Sequence, residues 1–201
     1  WYMELALNYA RKFGDHNVTG LLLYNQSKKY YPSEYSDIPT GYVGLVGRVT
    51  YDWKTRYMAE FNAGYNGSEN FAKGKRFGFF PSIALGWLVS EEQFMEPIRN
   101  VISKLKLRAS VGTVGNDNIG GRRFAYITTI NSKANGYNWG YTGDTYRDGV
   151  QEGEVGVGNL TWEKALKTNI GIERGLWNEL DFQLDLFKER RTSIFMQRAT
   201  I

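Results

Sequence analysis

The chain has 201 residues and a net charge of +4, and it is rich in Gly (23), Tyr (14) and Phe (11) but poor in Pro (4). The nearly balanced charge excludes the basic footprint of a nucleic-acid-binding protein. Cysteine is absent, which excludes a disulfide framework, a thiolate metal site and a cysteine nucleophile.

Apolar and polar residues alternate with a period of two through most of the chain, which predicts an all-β protein. The predicted strands, in chain order, are 1–13, 18–29, 43–51, 57–65, 77–87, 103–116, 166–172 and 180–186. One short helical turn is expected near 90–96, where Ser90 is placed as a cap and Pro97 limits the length. No apolar run reaches the 18 residues of a spanning helix, but strands of a membrane barrel need only alternate.

The predicted connections alternate between short and long. Tight turns are expected at 14–17, 52–55 and 175–178, and long loops at 30–40, 66–76 and 113–163. In an antiparallel up-and-down sheet, alternate connections lie at the same edge, so all tight turns gather at one end. This asymmetry is typical of outer-membrane barrels, which have short periplasmic turns and long outer loops.

The two faces of the predicted strands differ in the same way. Glu60, Lys106, Arg108, Asp181 and Asp185 lie in mid-strand opposite apolar rows, as expected of residues that line a wet lumen. Aromatic residues gather at strand ends, where interfacial girdles are expected: Tyr9, Tyr24, Tyr51, Trp53, Tyr57, Tyr65, Phe77 and Trp87. A soluble sheet with one solvated face shows the same alternation, so a soluble β-sandwich remains the alternative.

Four ordered stretches resemble the SusC/RagA family of TonB-linked outer-membrane proteins: RFGFFPSIALGWLVSEEQFM, KLKLRASVGTVGNDNIG, NLTWEKALKTNIGIE and DLFKERRTSIFM. The resemblance implies a large barrel in the bacterial outer membrane with an N-terminal plug. It also implies that a SusD-like surface lipoprotein acts as a lid, that glycans or peptides are imported, and that the TonB complex drives uptake.

About eight predicted strands compare with ~22 for such transporters, and no plug, TonB box or carboxypeptidase-like extension is found. Residues 1–201 are therefore expected to form a partial barrel in contact with outer-membrane lipid, with 113–163 as a long outer loop region.

The glycine-rich stretch 112–121 could be a nucleotide or calcium site, but it lacks the elements of either. No Gly-Lys-Ser/Thr ending and no following helix are present to hold phosphate. Asn116, Asp117 and Asn118 are not followed by a glutamate at EF-hand spacing. The stretch is interpreted as a strand that leaves the membrane into an outer loop.

Candidates for catalysis have simpler explanations. His16 is the single histidine and is expected to be a solvated turn residue. Glu91 and Glu92 begin the predicted helical turn, where negative charge suits the dipole. Asp181 and Asp185 alternate along one strand face and suit a lumen lining better than an acid/base pair. The sequence therefore predicts no enzyme activity, no catalytic or metal site and no cofactor.

A ligand-binding hypothesis centres on residues 136–149. Aromatic rings can stack on the apolar faces of sugars while amides, carboxylates and Arg bond the hydroxyl groups. The candidate substrate-binding residues are Tyr137, Trp139, Tyr141, Asp144, Tyr146 and Arg147. Two alternatives are an ordinary Tyr-rich outer loop and, in a soluble β-sandwich, a carbohydrate-binding module that uses the same loops.

Overall fold

The computed structural model describes residues 1–30, 39–120, 123–177 and 179–196. It contains strands β1 Tyr2–Phe13, β2 His16–Lys29, β3 Thr40–Trp53, β4 Tyr57–Ser68, β5 Phe77–Leu88, β6 Ile102–Asn116, β7 Ile130–Trp139, β8 Thr145–Glu152, β9 Glu163–Leu176 and β10 Leu180–Thr192. Two 3₁₀ turns, Val89–Glu91 and Gln93–Ile98, lie between β5 and β6. Among the described residues, no helix is long and apolar enough to cross a bilayer.

Eight strands form one antiparallel sheet in the order β1-β2-β3-β4-β5-β6-β9-β10, and β7 pairs with β8 in a separate hairpin. The prediction of about eight up-and-down antiparallel strands is confirmed. The strands β1 and β10 are the two edges of the sheet, so it does not close on itself.

The tight turns all lie at one end of the sheet, as predicted, although the longer connection 89–101 lies at that end too. We call the two ends the short-turn end and the long-loop end. The short-turn end carries the connections at 14–15, 54–56, 89–101 and 177–179, and the long-loop end carries those at 30–39, 69–76 and 117–162. The predicted long loop at 30–40 falls largely on 31–38, which lie outside the described residues.

Strand β6 matches the predicted strand 103–116, so the long loop region predicted to begin at Thr113 starts later than expected. Thr113 to Asn116 continue β6, so the connection to β9 begins at Asp117. The glycines that suggested a loop are needed for packing instead. A Cβ at Gly115 would overlap the ring of Phe80, and one at Gly112 would overlap the side chain of Ser82. A hairpin was predicted near 124–130, but β7 and β8 form it at 130–152.

The short helical turn near 90–96 is present as 3₁₀ structure, but the capping role of Ser90 was wrong. The residue preceding the first turn is Leu88, and no side-chain capping bond is made there. Ser90 is buried inside this turn, and its carbonyl accepts a hydrogen bond from Nε of Arg99 at 2.8 Å. Pro97 lies inside the second turn. Because proline has no backbone N–H to donate, it suits a short 3₁₀ turn better than a longer helix.

The register gives the sheet one apolar face and one polar face. A single row of paired residues crosses all eight strands on the apolar face: Phe13, His16, Trp53, Tyr57, Trp87, Leu107, Ile172 and Leu184. Leu85 is 55% exposed and Ile170 57% exposed on this face. A sandwich would bury these side chains against a second sheet, so the sandwich alternative was wrong.

His16 is exposed, but it is the first residue of β2 rather than a turn residue, because Gly14 at φ +59° closes the turn in two residues. Its Nδ1 lies 2.8 Å from the hydroxyl of Tyr51, and its ring stacks near Trp53 at 6.3 Å between centroids. His16 therefore belongs to the aromatic row at the short-turn end.

Candidate functional site at the long-loop end

The base of the long connection 117–162 is held by a small hydrophobic cluster, which we call the loop core. It consists of Phe71, Phe80, Ile119, Ala125, Leu160 and Trp162. Phe71 and Ala125 are completely buried, although most large apolar side chains of this sheet are exposed. The sequence analysis treated Phe71, Ile119, Leu160 and Trp162 as loop, although Leu160 and Trp162 are a local apolar signal within a polar region.

Trp162 joins the loop core to the sheet. Its ring lies 5.4 Å from the centroid of Phe71 and 5.2 Å from that of Phe80, and its indole N–H donates to the carbonyl of Arg76 at 2.9 Å. The ring of Phe80 needs the space above Gly78 and Gly115, where any Cβ would overlap it. Both glycines are therefore required for the loop core to form.

Polar contacts hold the start and the end of the same connection. The Ser68 hydroxyl donates to Oδ2 of Asp117 at 2.6 Å, and the Asn70 amide donates to the carbonyl of Asp117 at 3.1 Å. Near the other end, Nζ of Lys75 donates to Oδ1 of Asn159 at 3.1 Å. Asp117 is thus a structural acceptor, and the part of the chain that the structure describes contains no group of three or more metal-ligating side chains.

The hairpin β7–β8 rises from this base and divides the predicted ligand residues between its two faces. Tyr137 pairs with Arg147, and Trp139 pairs with Thr145. Tyr137, Trp139 and Arg147 therefore share one face. Tyr137 is 72% exposed and Trp139 62% exposed, and their rings meet edge to face at 5.9 Å.

The other predicted residues lie elsewhere on the hairpin. Tyr146 pairs with Asn138 on the opposite face, and its hydroxyl accepts a hydrogen bond from the N–H of Gly136 at 2.8 Å. Tyr141 and Asp144 lie in the turn, and Tyr141 is fully exposed. A hydrogen bond from Thr142 lowers the pKa of Asp144, so this carboxylate is an ionised acceptor at neutral pH.

The polar face of the sheet carries a charged network at β6, β9 and β10. Arg108 donates to both oxygens of Asp185 at 2.8 and 2.6 Å, and it lies 3.7 Å from Glu173, which pairs with Lys104 at 2.8 Å. Arg108 reaches Asp185 across Gly171, where a Cβ would collide with both side chains. Because Arg108 donates to both oxygens of Asp185, the predicted lining role suits this carboxylate better than acid/base catalysis.

Glu92 precedes the second 3₁₀ turn, but it also anchors side chains of the sheet, a role that the sequence analysis did not predict. Its Oε1 accepts hydrogen bonds from the Tyr57 hydroxyl at 2.6 Å and from the Trp87 indole at 3.1 Å, and Arg56 lies 3.6 Å from Oε2. The hydrogen bond from Tyr57, followed by that from Trp87, lowers the pKa of Glu92. Tyr57 lies 35 residues away in sequence, so no local pattern could have identified this contact.

The substitution Glu92→Gln is expected to destabilise the short-turn end in a pH-dependent way. Because the pKa of Glu92 is lower in the folded state, its stabilisation is present above the pKa of an unfolded glutamate and disappears as the pH falls through the folded pKa. Thermal unfolding in detergent between about pH 7 and about pH 3 checks this. The difference between wild type and variant should shrink on acidification. Glu91→Gln is the control, and an equal pH dependence in both variants would contradict the assignment.

The sequence is similar to a known protein family and to individual relatives. The model of the family "TonB dependent receptor-like, beta-barrel" matches residues 2–201. TonB-dependent receptor SusC of Bacteroides thetaiotaomicron is 38% identical over 138 residues, which cover 68% of this chain and 13% of that protein. TonB-dependent receptor P3 of Formosa agariphila is 30% identical over 196 residues, which cover 97% of this chain and 19% of that protein.

Solved structures share the fold. The RagAB peptide importer in its "closed-closed" state superposes with a TM-score of 0.77 at 19% identity, over 94% of this chain and 23% of that chain. The structure of the RagAB peptide transporter gives a TM-score of 0.72 at 19% identity, over 92% of this chain and 23% of that chain. The chain thus spans less than a quarter of the length of these relatives.

Proposed function

Because the chain belongs to the family of TonB-dependent receptor-like β-barrels, we propose that it forms part of the wall of an importer in the bacterial outer membrane. Family membership confirms the resemblance to SusC/RagA proteins that four motifs indicated. We propose that uptake is driven by the TonB complex, which acts on parts of the protein outside these 201 residues.

The dimensions of the apolar face support a membrane setting. On β4, Tyr57 and Tyr65 bound the face at opposite ends, and eight residues at ~3.3 Å each separate them by about 26 Å along the strand. With a strand tilt of ~40°, this corresponds to roughly 20 Å across the membrane, near the ~25 Å apolar band of outer-membrane barrels. The polar face, with the network around Arg108, would then line the lumen.

The observation that carries a ligand-binding role is the exposed face of β7–β8. Tyr137, Trp139 and Arg147 project together from a hairpin whose base is fixed by the loop core. Two rings beside a guanidinium and the ionised Asp144 suit a ligand with apolar planes and many hydrogen-bonding groups. We propose that this face contacts an oligosaccharide or peptide during import, and that a SusD-like lipoprotein covers the long-loop end.

The proposed function is tested on the protein extracted from membranes in detergent. Native mass and heat-modifiable gel mobility report whether it is a large folded barrel. Co-purification with a surface lipoprotein reports whether a lid partner is present. A heat-modifiable barrel with a lipoprotein supports the proposal. A protein that remains soluble without detergent would contradict the membrane setting, and a barrel that purifies alone would contradict the lid.

The double substitution Tyr137→Ala/Trp139→Ala is expected to weaken ligand binding by about tenfold or more, because each exposed ring contributes on the order of 1 kcal/mol by stacking. Isothermal titration with a panel of oligosaccharides and a tryptic peptide mixture measures the loss and identifies the ligand class. Trp177→Ala is the control, because Trp177 is 58% exposed at the opposite end of the sheet. Equal affinities in the two variants would exclude this face as the ligand site.

A further inference from the structure

An open groove of about 520 Å³ lies on the apolar face near the short-turn end. Its floor is formed by Ala59 and Ala109, which lie in the same cross-strand row on either side of Leu85. Tyr57 and Trp87 rise beside this floor from the neighbouring row. Because each alanine contributes one methyl group among aromatic and branched side chains, the surface is indented along this row. The indentation has the apolar lining that an acyl chain requires.

The groove ends at a polar group on the short-turn side. The two aromatic walls, Tyr57 and Trp87, are also the donors that fix Oε1 of Glu92. Arg56 lies 3.6 Å from Oε2, and the side chains of Arg56 and Glu92 are 30% and 15% exposed. This pair of opposite charges therefore lies beside the two aromatic walls of the groove rather than in its lining, and we call this position the mouth of the groove. It is at the level where lipid headgroups meet a barrel.

The charges at this mouth select the class of lipid. The Arg56 guanidinium has five N–H donors. Its contact with Oε2 of Glu92 leaves other N–H groups that can donate hydrogen bonds to a phosphate. Oε2 of Glu92 can accept hydrogen bonds from a primary ammonium. A headgroup with one phosphate and one ammonium matches both groups, whereas a glycerol headgroup would bring uncompensated negative charge beside Glu92.

We propose that this groove is a specific site for one ethanolamine glycerophospholipid of the periplasmic leaflet. An acyl chain lies over Ala59 and Ala109, the phosphate contacts Arg56, and the ammonium donates to Glu92. The site rests on the membrane setting proposed above. It differs from general lipid contact because it combines an indentation with a fixed pair of opposite charges.

A second indentation of the same face provides a matched control. It is lined by Gly20, Gly47 and Ala63 among larger apolar side chains. Ala63 lies on the same strand, β4, four residues beyond Ala59 and further from the row that contains Tyr57. Ala63→Leu adds as many carbon atoms to this face as either Ala59→Leu or Ala109→Leu alone, and it leaves the mouth at Arg56 and Glu92 unchanged.

The experiment uses the protein extracted from membranes in detergent and analysed by native mass spectrometry. The probes are phosphatidylethanolamine, phosphatidylcholine and phosphatidylglycerol with identical acyl chains. We expect wild type to retain one ethanolamine lipid about tenfold more tightly than either other lipid. Ala59→Leu/Ala109→Leu should remove that retention, Ala63→Leu should keep it, and Glu92→Gln should abolish the headgroup preference. Heat-modifiable mobility of every variant shows separately that the barrel is folded.

Three results would overturn the proposal. Equal retention of the three lipids by wild type would show non-specific contact, and equal loss in Ala63→Leu would show that any filled indentation has the same effect. Disulfide cross-linking of two copies through Ala109→Cys would identify a second copy of this chain as the occupant. Heat-modifiable mobility reports the barrel fold independently of lipid retention. If the mobility is intact and no lipid preference is found, this site is wrong but the barrel assignment stands.

Discussion

Replacement of Trp162 by alanine is expected to have the largest effect on the long-loop end, with a loss of about 3–5 kcal/mol in unfolding free energy. Trp162 is 3% exposed, packs against both Phe71 and Phe80, and donates its indole N–H to Arg76. Its removal leaves a cavity and takes away one of the two hydrogen bonds to the Arg76 carbonyl, which still accepts from the Ser68 N–H at 3.0 Å. The connection 117–162 should then open independently of the sheet. The rate of limited proteolysis within this connection, and the thermal unfolding midpoint in detergent, measure the effect.

Trp139→Ala is the matched control for this prediction, because it removes the same side chain from an exposed position of the same connection. Its effect on stability should stay within about 0.5 kcal/mol. Similar protease sensitivity in the two variants would show that the loop core does not hold the base. A loss of heat-modifiable mobility in Trp162→Ala would show instead that the loop core stabilises the whole barrel.

The strands and their faces could be predicted from the sequence because a period of two is a local property. On β6, the alternation of Leu105, Leu107 and Ala109 with Lys106 and Arg108 fixes which side chains share a face, whatever the neighbouring strands are. The order of tight turns and long connections then fixes the neighbours. Local pattern and connection length together account for the eight-stranded sheet.

The loop core and the anchor at Glu92 could not be predicted, because each joins segments far apart in the chain. Trp162 meets the carbonyl of Arg76 across 86 residues, and Glu92 meets Tyr57 across 35. The glycines of β6 misled the sequence analysis for the same reason. Gly115 suggested a loop, but its role is to make room for Phe80 on the neighbouring strand.

The ligand-binding role of residues 136–149 remains a prediction. Rings in a polar stretch stand out from composition alone, and the structure shows those of Tyr137, Trp139, Tyr141 and Tyr146 to be exposed. The hairpin register, with its shifts between Asn131 and Tyr137, decides which rings share a face. For this reason Tyr146 is separated from Tyr137 and Trp139, which composition had grouped together.

The second large effect is expected when a charge is placed on the apolar face midway between the aromatic ends. Ile83 lies four residues from both Phe79 and Trp87 on β5 and pairs with Phe61. Arginine at the bilayer midplane of a barrel costs about 2–4 kcal/mol on the lipid face. Ile83→Arg should therefore lower the unfolding free energy by about this amount. Denaturant unfolding of the full barrel in phospholipid vesicles, followed by heat-modifiable mobility, measures the change.

Ala84→Arg is the decisive comparison, because adjacent residues of a strand point to opposite faces. Ala84 pairs with Glu60 on one side and with Ser110 on the other, so an arginine there meets a carboxylate and the polar face. Its cost should be below about 1 kcal/mol, since lumen-facing charges remain hydrated. A difference of about 2 kcal/mol or more between the two variants assigns the apolar face to lipid. Equal costs would mean that both faces meet the same solvent, and the orientation of the sheet in the membrane would have to be abandoned.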